Sequence, residues 1–416
     1  MRSIVLGAGI AGVTAAYELA RRGHEVTVID RQPGPALETS FANGGLVVPS
    51  QSDPWASPDA PMKLLKWLGR EDAPLLLRLS AVPGMLRWGL AFLANCRRER
   101  WHRNTAAVFR LAIYSRDAYD ALAAETGIEH GRCDKGTLRL YSDEAALSAS
   151  LAEFEPYREL GLAYELLTRE QCVALEPSLA GAASRFLGGL HVAADRSGDC
   201  HEFAKGLAEH ARKLGVDFRF NTAIQGIETD AGAATAVLTD KGRILGDRFL
   251  LALGPHSGVM ARSLGWRLPV NPVKGYSATI DIDGWNNPPR VPLVITYRKM
   301  AIANLGRHLR LAGSAEFAGF DLSLNARRGQ MLLDALEEHY PDYPRTSPPQ
   351  HWAGLRPVVP DGRPVLGATP VRNLFVDTGH GQLGWTLSFG SARAVAAVMD
   401  GKPPEIDLRD FAFDRF

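Results

Sequence analysis

Residues at both ends of this chain have the types and spacing to do chemistry. Near the start, Gly7-Ala8-Gly9-Ile10-Ala11-Gly12 is a G-x-G-x-x-G, and Asp30 follows at about the distance of a ribose-binding carboxylate. Such a run suits a pyrophosphate. Gly7 turns the chain sharply, Gly9 lets backbone approach the phosphates, and Gly12 lets helix and strand pack closely. Unpaired N–H groups at the start of the next helix, around Ile10 and Ala11, add partial positive charge. Toward the other end, Arg356 precedes Pro357. A guanidinium stays charged at any working pH and holds a carboxylate through a two-pronged fork, which is how a small acid is anchored. The plainer reading of Arg356 is a surface or salt-bridged arginine, a common situation.

The elements that must position these residues follow from periodicity. An apolar strand over residues 2 to 6 runs into the glycines, a helix covers 10 to 22, and Glu25-Val26-Thr27-Val28-Ile29-Asp30 is a second strand. A Pro/Gly/Ser-rich stretch from Pro33 to about Pro61 is too long for a plain connection, so it is either functional or a crossing between domains. Two amphipathic helix patterns run through 62 to 126. Shorter strands and helices fill 136 to 215, with Asp199 as N-cap of a helix ending near Gly215. Strands follow over 217 to 253 and 266 to 313, then a helix at 325 to 339, a proline-rich run to Pro349, and a strand over 374 to 376 leading into a helix at 385 to 399. Pro357 biases Arg356 toward an extended strand end, with Pro360-Asp361-Gly362 as the turn beyond.

Length and composition bound the class. A chain of 416 residues exceeds what one core usually serves, so two domains are expected. With 47 Lys plus Arg against 46 Asp plus Glu, the basic excess of a nucleic-acid binder is missing. Cys96, Cys133, Cys172 and Cys200 are scattered, which indicates neither a metal site nor a disulfide framework. No secretory signal and no apolar run long enough to span a membrane is evident, so the expected location is cytoplasmic, or peripheral on the inner face of the plasma membrane.

The fingerprint alone does not separate NAD from FAD, but three further segments bear on the choice. Glu38-Thr39-Ser40-Phe41-Ala42-Asn43-Gly44-Gly45, followed by Leu46, offers small hydrogen-bonding side chains soon after Asp30 and Arg31. Phe249 to Leu253 is a buried strand ending in Gly254, which permits close backbone approach. Gly379-His380-Gly381-Gln382-Leu383-Gly384 opens the last helix. A cofactor touched by both ends of the chain is long and buried.

These segments, with Lys274-Gly275-Tyr276-Ser277, Gly354-Leu355-Arg356-Pro357, Pro360-Asp361-Gly362 and Leu383-Gly384-Trp385-Thr386, resemble over the whole chain the D-amino acid dehydrogenases of the D-amino acid oxidase and glycine oxidase family. The resemblance implies non-covalent FAD and a mixed α/β fold. A Rossmann-like FAD-binding domain (1–75, 185–265, 350–416) would interleave with a substrate domain (76–184, 266–349) on a large, mostly antiparallel sheet. It further implies oxidative deamination of a D-amino acid to a 2-oxo acid and ammonia, with hydride passing from Cα to flavin N5 and electrons going on to a quinone or other respiratory acceptor. In the glycine oxidase branch the matching arginine binds the substrate carboxylate, a role carried here to Arg356. Tyr276 and Tyr297 could wall the pocket and offer a hydroxyl, although each is also an ordinary packing residue. His380, as a histidine, invites a general-base reading, yet the reaction that the resemblance implies needs no obligatory protein base, so it is read as shaping the loop. The backbone N–H groups of Gly384, Trp385 and Thr386 could stabilise charge on the reduced ring.

Residues 62 to 101 carry Trp67, Trp88 and Trp101 with six arginines among many leucines, which suits an interfacial helix or one packed on a core. Three rival readings stand beside the dehydrogenase. They are a peroxide-forming oxidase of glycine, sarcosine or proline-type substrates, an NAD-dependent dehydrogenase, and a non-catalytic flavoprotein.

Overall fold

The computed structural model describes residues 1–67, 69–71 and 73–416. Its first sheet is a doubly wound one. The strands lie in the order Val365–Ala368, Leu374–Thr378, Arg248–Leu251, Arg2–Leu6, Glu25–Ile29 and Asp217–Arg219, parallel throughout except for the edge strand Val365–Ala368. The central strands are apolar on both faces because both are covered, one by helices and the other by the strands over 224–245 and the short helix Ser257–Ser263. The helices Ile10–Arg21, Arg98–Thr126, Cys200–Lys213 and Gly384–Met399 share one core, in which Val13, Leu111, Phe203 and Leu387 meet. Small residues bring these helices close: a Cβ on Gly390 would lie 2.9 Å from that of Ser115, whose hydroxyl accepts the Gly390 N–H.

The second sheet has nine strands. Gln350–Val358 is at one edge, followed by Asn271–Asp281, His308–Phe317, Met300–Asn304, Leu293–Ile295, Thr137–Tyr141, Gly188–Val192 and Glu165–Thr168, with Leu75–Leu77 alongside His308–Phe317. It is antiparallel except at two pairings. Helix Ala326–His339 covers one face with Leu332, Leu333 and Leu336. A three-stranded antiparallel meander over Ile224–Asp230, Ala233–Thr239 and Gly242–Leu245 completes the architecture. The mixed α/β class and the mostly antiparallel second sheet match the expectation from sequence.

Strand membership redraws the boundaries. Gly188–Val192 and Gln350–Val358, expected in the nucleotide domain, pair into the large sheet, while Arg98–Thr126, expected in the substrate domain, packs on the nucleotide core. Pairing partners lie far apart in sequence, so local periodicity carries no trace of them. The region 60 to 126 holds three helices, Ala60–Trp67, Val82–Asn95 and Arg98–Thr126. Trp88 and Trp101 are buried, their ring N–H groups donating to the carbonyls of Val358 and Pro54. No helix among the described residues is long and apolar enough to cross a membrane.

Candidate active site

One cavity of about 1020 Å³ runs between the two sheets, at the large end of the usual range for ligand pockets. Its nucleotide end is built by the loop after the first strand. Gly7 takes φ 105°, a left-handed value open to glycine, and its N–H donates to the Ile29 carbonyl at 2.9 Å. A Cβ on Gly12 would sit 1.9 Å from the Gly7 carbonyl oxygen. Gly12 therefore sets the helix against the loop and does not line the cavity. Asp30 accepts the Ala8 N–H at 2.6 Å and the Gln32 N–H at 2.8 Å. Burial pushes its carboxyl up, against the opposing pull of those two donors. Ser40 Oγ accepts the Ile10 N–H at 3.2 Å and so caps the helix. Arg31 is held by Glu38 at 2.6 Å. Gly9, Ile10, Ala11, Asn43, Gly44 and Leu46 complete this wall. Gly45 lies just behind it at φ 68°, its N–H donating to Asn43 Oδ1.

The far end is built by the C-terminal loop. Gly254, Gly381, Leu383, Gly384 and Trp385 all line the cavity, as does His380. Helix Gly384–Met399 starts without a side-chain cap and without an acidic residue in its first turn, so its leading N–H groups are open to an anion. Trp385 Nε1 is buried and has no hydrogen-bond partner among the described residues. Thr386 stands outside the wall, where its hydroxyl accepts the Val48 N–H at 3.0 Å and ties down the neighbouring segment. His380 Nε2 is 3.2 Å from Ser391 Oγ and 3.0 Å from Asp377 Oδ1, the latter contact close but misaligned for a hydrogen bond. The Ser391 hydroxyl is thus the hydrogen-bond partner of the His380 ring.

Between these ends lies Arg356. Its Nη1 donates to the Ser314 carbonyl at 3.1 Å, and its guanidinium lies 5.9 Å from the Trp55 ring centre. It makes no ion pair with a carboxylate among the described residues, and burial pushes it down to about 10, so it remains a cation near neutrality. The sequence supplies the space for it. A Cβ on Gly275 would lie 2.1 Å from Nη1, so a glycine there lets the side chain cross the neighbouring strand. The backbone supplies the acceptor. The register between Asn271–Asp281 and His308–Phe317 slips between Lys274 and Tyr276, and Ser314 takes φ 64° opposite that slip. A bulge of this kind re-aims a carbonyl. Arg328, itself buried, donates to Ser314 Oγ at 2.7 Å and steadies the bulge. The turn Pro360-Asp361-Gly362 has Gly362 at φ 73°, and Asp361 is gripped by Arg363 and Arg415.

The two tyrosines part company. Tyr276 lines the cavity, but its hydroxyl is already committed to Glu316 at 2.5 Å, so it serves as a wall and not as a free donor. Tyr297 does not reach the cavity; its hydroxyl meets His339 Nε2 at 2.6 Å, within the core beneath the sheet. Trp55, Gly275 and Ser314 are the residues that sequence reasoning left without a role. Only Gly275 carried a signal, as the glycine of the Lys274-Gly275-Tyr276-Ser277 segment.

A doubly wound nucleotide sheet and a glycine-lined cleft reached by residues from both ends of the chain are the marks of a dinucleotide-dependent oxidoreductase. The chain belongs to the family of FAD dependent oxidoreductases known as DAO, which matches residues 2–398. It is 44% identical over 417 residues to a D-amino acid dehydrogenase of Paramagnetospirillum magneticum, covering 100% of this chain and 99% of that one. It is 45% identical over 418 residues, and all of both chains, to one of Sinorhizobium medicae. Among solved structures it resembles glycine oxidase from Geobacillus kaustophilus, with TM-score 0.77, 22% identity, and 100% and 99% of the two chains covered. It also resembles L-proline dehydrogenase from P. horikoshii, with TM-score 0.76, 18% identity, and 100% and 98% covered. FAD is the cofactor of this family, and the residues fit it. The cavity is continuous from Gly9 and Asp30 to Arg356, and the unsatisfied Trp385 N–H and the uncapped helix lie where a long, polar-edged group passes. The resemblance read from the motifs is thereby borne out.

Proposed function

We propose that this chain oxidises D-amino acids to 2-oxo acids and ammonia and passes the electrons to a lipophilic quinone. The observation that carries the reading is the Arg356 guanidinium, half-buried in the cavity wall with a carbonyl and an indole beside it and no carboxylate among the described residues to neutralise it. A buried charge without a partner is costly, and an amino acid's carboxylate supplies one. When bound, FAD supplies the two-electron acceptor that takes hydride from the substrate Cα.

The chain's own residues do the positioning. Arg356 fixes the carboxylate, Trp55 and Tyr276 wall the site, and Ser314 holds the fork's orientation. Gly9, Ala11, Asp30, Arg31, Ser40, Asn43 and Gly44 would hold the nucleotide half, and the open N–H groups at Gly384 and Trp385 would favour negative charge at the other end. His380, pinned between Asp377 and Ser391, keeps that loop in shape. Preference for the D enantiomer is supported by the names of the full-length relatives. Anaerobic mixing of the purified holoenzyme with D- and L-amino acids, D-hydroxyproline and sarcosine tests the reading through the flavin absorbance. Bleaching by D-amino acids is expected. Bleaching by L-amino acids or sarcosine alone would overturn it, and stoichiometric peroxide in air, with no reduction of a quinone analogue, would favour an oxidase.

The quinone and a peripheral membrane location are supported by the cavity mouth. Leu86, Leu90 and Leu93 line the cavity and are exposed, and Met62, Leu65 and Leu79 are exposed on the flanking segments, with Leu65 69% and Leu79 78% accessible. Lys63 and Lys66 on Ala60–Trp67, Arg87 on Val82–Asn95, and Arg97 and Arg98 at the start of Arg98–Thr126 flank them in sequence. Apolar side chains with flanking cations suit an anionic bilayer surface. Leu86→Glu together with Leu90→Glu is expected to abolish co-flotation with phosphatidylglycerol vesicles and to slow reoxidation by a long-chain quinone more than by a water-soluble one. Equal slowing of both acceptors would refute the surface role.

A further inference from the structure

A charged chamber of the same cavity is lined by Asp53, Lys63, Arg139, Glu153, Thr296 and Lys299, and of these the reading above uses only Lys63. Hydrogen-bond donors are in surplus there. Arg139, on strand Thr137–Tyr141, lies over the Phe154 ring at 5.2 Å, and its Nε reaches only the Tyr141 hydroxyl, at 3.4 Å. Its Nη1 is buried and has no partner among the described residues. The Lys299 ammonium likewise makes no hydrogen bond or ion pair among the described residues; burial and then Lys63 push it below the ordinary lysine range.

The neighbouring carboxylates are already engaged. Asp53 accepts the Tyr157 hydroxyl at 3.0 Å, and Asp195 accepts from Ser50 and Thr137. Lys63 is paired with Asp59. Glu153 accepts from no donor among the described residues, and burial, then Asp53, push its carboxyl up. Arg139 and Lys299 therefore keep open donors in a chamber whose two carboxyls, Asp53 and Glu153, bond to neither of them among the described residues.

The chamber is also within reach of the first cation. Met300 pairs with Gly313, and the Lys299 carbonyl lies beside Gly313. Lys299 thus sits one strand spacing, about 5 Å, from the Ser314 segment whose carbonyl holds Arg356. Lys299 takes φ 51° as the last residue of the hairpin turn between Leu293–Ile295 and Met300–Asn304.

We propose that Arg139 and Lys299 form a second anion subsite that takes the side-chain carboxylate of an acidic D-amino acid, so that a four- or five-carbon dicarboxylic substrate is held at both ends. This rests on Arg356 holding the α-carboxylate. The subsite is tested on the holoenzyme by titrating unreactive acids and following the flavin absorbance, glutarate against pentanoate, in the parent and in Arg139→Gln and Lys299→Gln. These variants are compared only where FAD content and unfolding temperature match the parent. Glutarate is expected to bind at least tenfold tighter than pentanoate, and each variant to erase most of that advantage. In parallel, the ratio of kcat/KM for D-glutamate to that for D-glutamine should fall at least tenfold in either variant. Equal affinity for glutarate and pentanoate in the parent, or a ratio unmoved in both variants, overturns the subsite. If no D-amino acid bleaches the flavin while glutarate keeps an Arg139-dependent advantage, the substrate reading fails and the subsite stands.

Discussion

Replacing Arg356 by methionine is expected to lower kcat/KM for D-amino acids by roughly 10²- to 10³-fold while the protein stays yellow. Truncating one partner of a buried, hydrogen-bonded charge pair costs about 2–5 kcal/mol, and each 1.4 kcal/mol is tenfold. The loss should lie in substrate capture and not in the fold. In the absence of ligand the guanidinium is a half-buried cation with, among the described residues, the Ser314 carbonyl and the Trp55 ring beside it, so an apolar side chain of similar length removes part of a desolvation cost. The unfolding temperature of the substrate-free protein should stay level or rise. Arg356→Lys should recover only part of the rate, since an ammonium offers no fork. Gly275→Ala is a milder companion: its Cβ would fall 2.1 Å from Nη1, which forces the guanidinium aside and should raise KM more than it lowers kcat. Rapid-mixing reduction of the flavin at limiting substrate reads all three. A methionine variant reduced as fast as the parent would remove Arg356 from the site.

The second large effect belongs to Gly12. The atom that a Cβ would meet, at 1.9 Å, is the backbone oxygen of Gly7, which cannot swing away as a side chain tip could. Gly12→Ala should therefore cost at least the roughly 1–3 kcal/mol of an overpacked core site, lower the unfolding temperature and leave a colourless protein. Gly9→Ala separates folding from cofactor binding. In the structure its Cβ would meet nothing closer than Ser40 Oγ at 3.7 Å, so the apoprotein should unfold near the parent temperature while FAD affinity falls. Calorimetry of the apoproteins, followed by FAD titration, distinguishes the two. If Gly9→Ala bound FAD as tightly as the parent, the pyrophosphate would not lie against this loop.

What could be read from sequence were the features decided locally. The strand, glycine turn and helix over residues 2 to 21 announce themselves by apolar period and by glycines whose steric roles the structure bears out at Gly7 and Gly12. Arg356 stood out as a permanently charged fork within Gly354-Leu355-Arg356-Pro357, with Pro357 biasing it toward an extended backbone. Features decided at long range stayed hidden. Tyr276 turned out to be committed to Glu316, forty residues away, and no pattern around residue 276 encodes that. Tyr297 sits in a strand-like sequence that the structure makes into a turn, sending its hydroxyl to His339. Trp55 lies in a proline-rich stretch without period, so nothing marked its approach to Arg356. The amphipathic pattern through 62 to 101 could not say which face meets protein: Trp88 and Trp101 went inward, whereas Leu86 and Leu90 stayed out.

The order of the nucleotide sheet bears on how the protein comes into being. The strand that carries Gly7 lies next to Arg248–Leu251, which in turn lies next to Leu374–Thr378, and the C-terminal Arg415 clamps Asp361 beyond the Arg356 strand. The glycine turn is thus supported on one side only when strands from far along the chain are in place. A fragment ending before residue 374 lacks the strand Leu374–Thr378 and the cavity-lining Gly381 and Gly384, and is expected to hold flavin poorly.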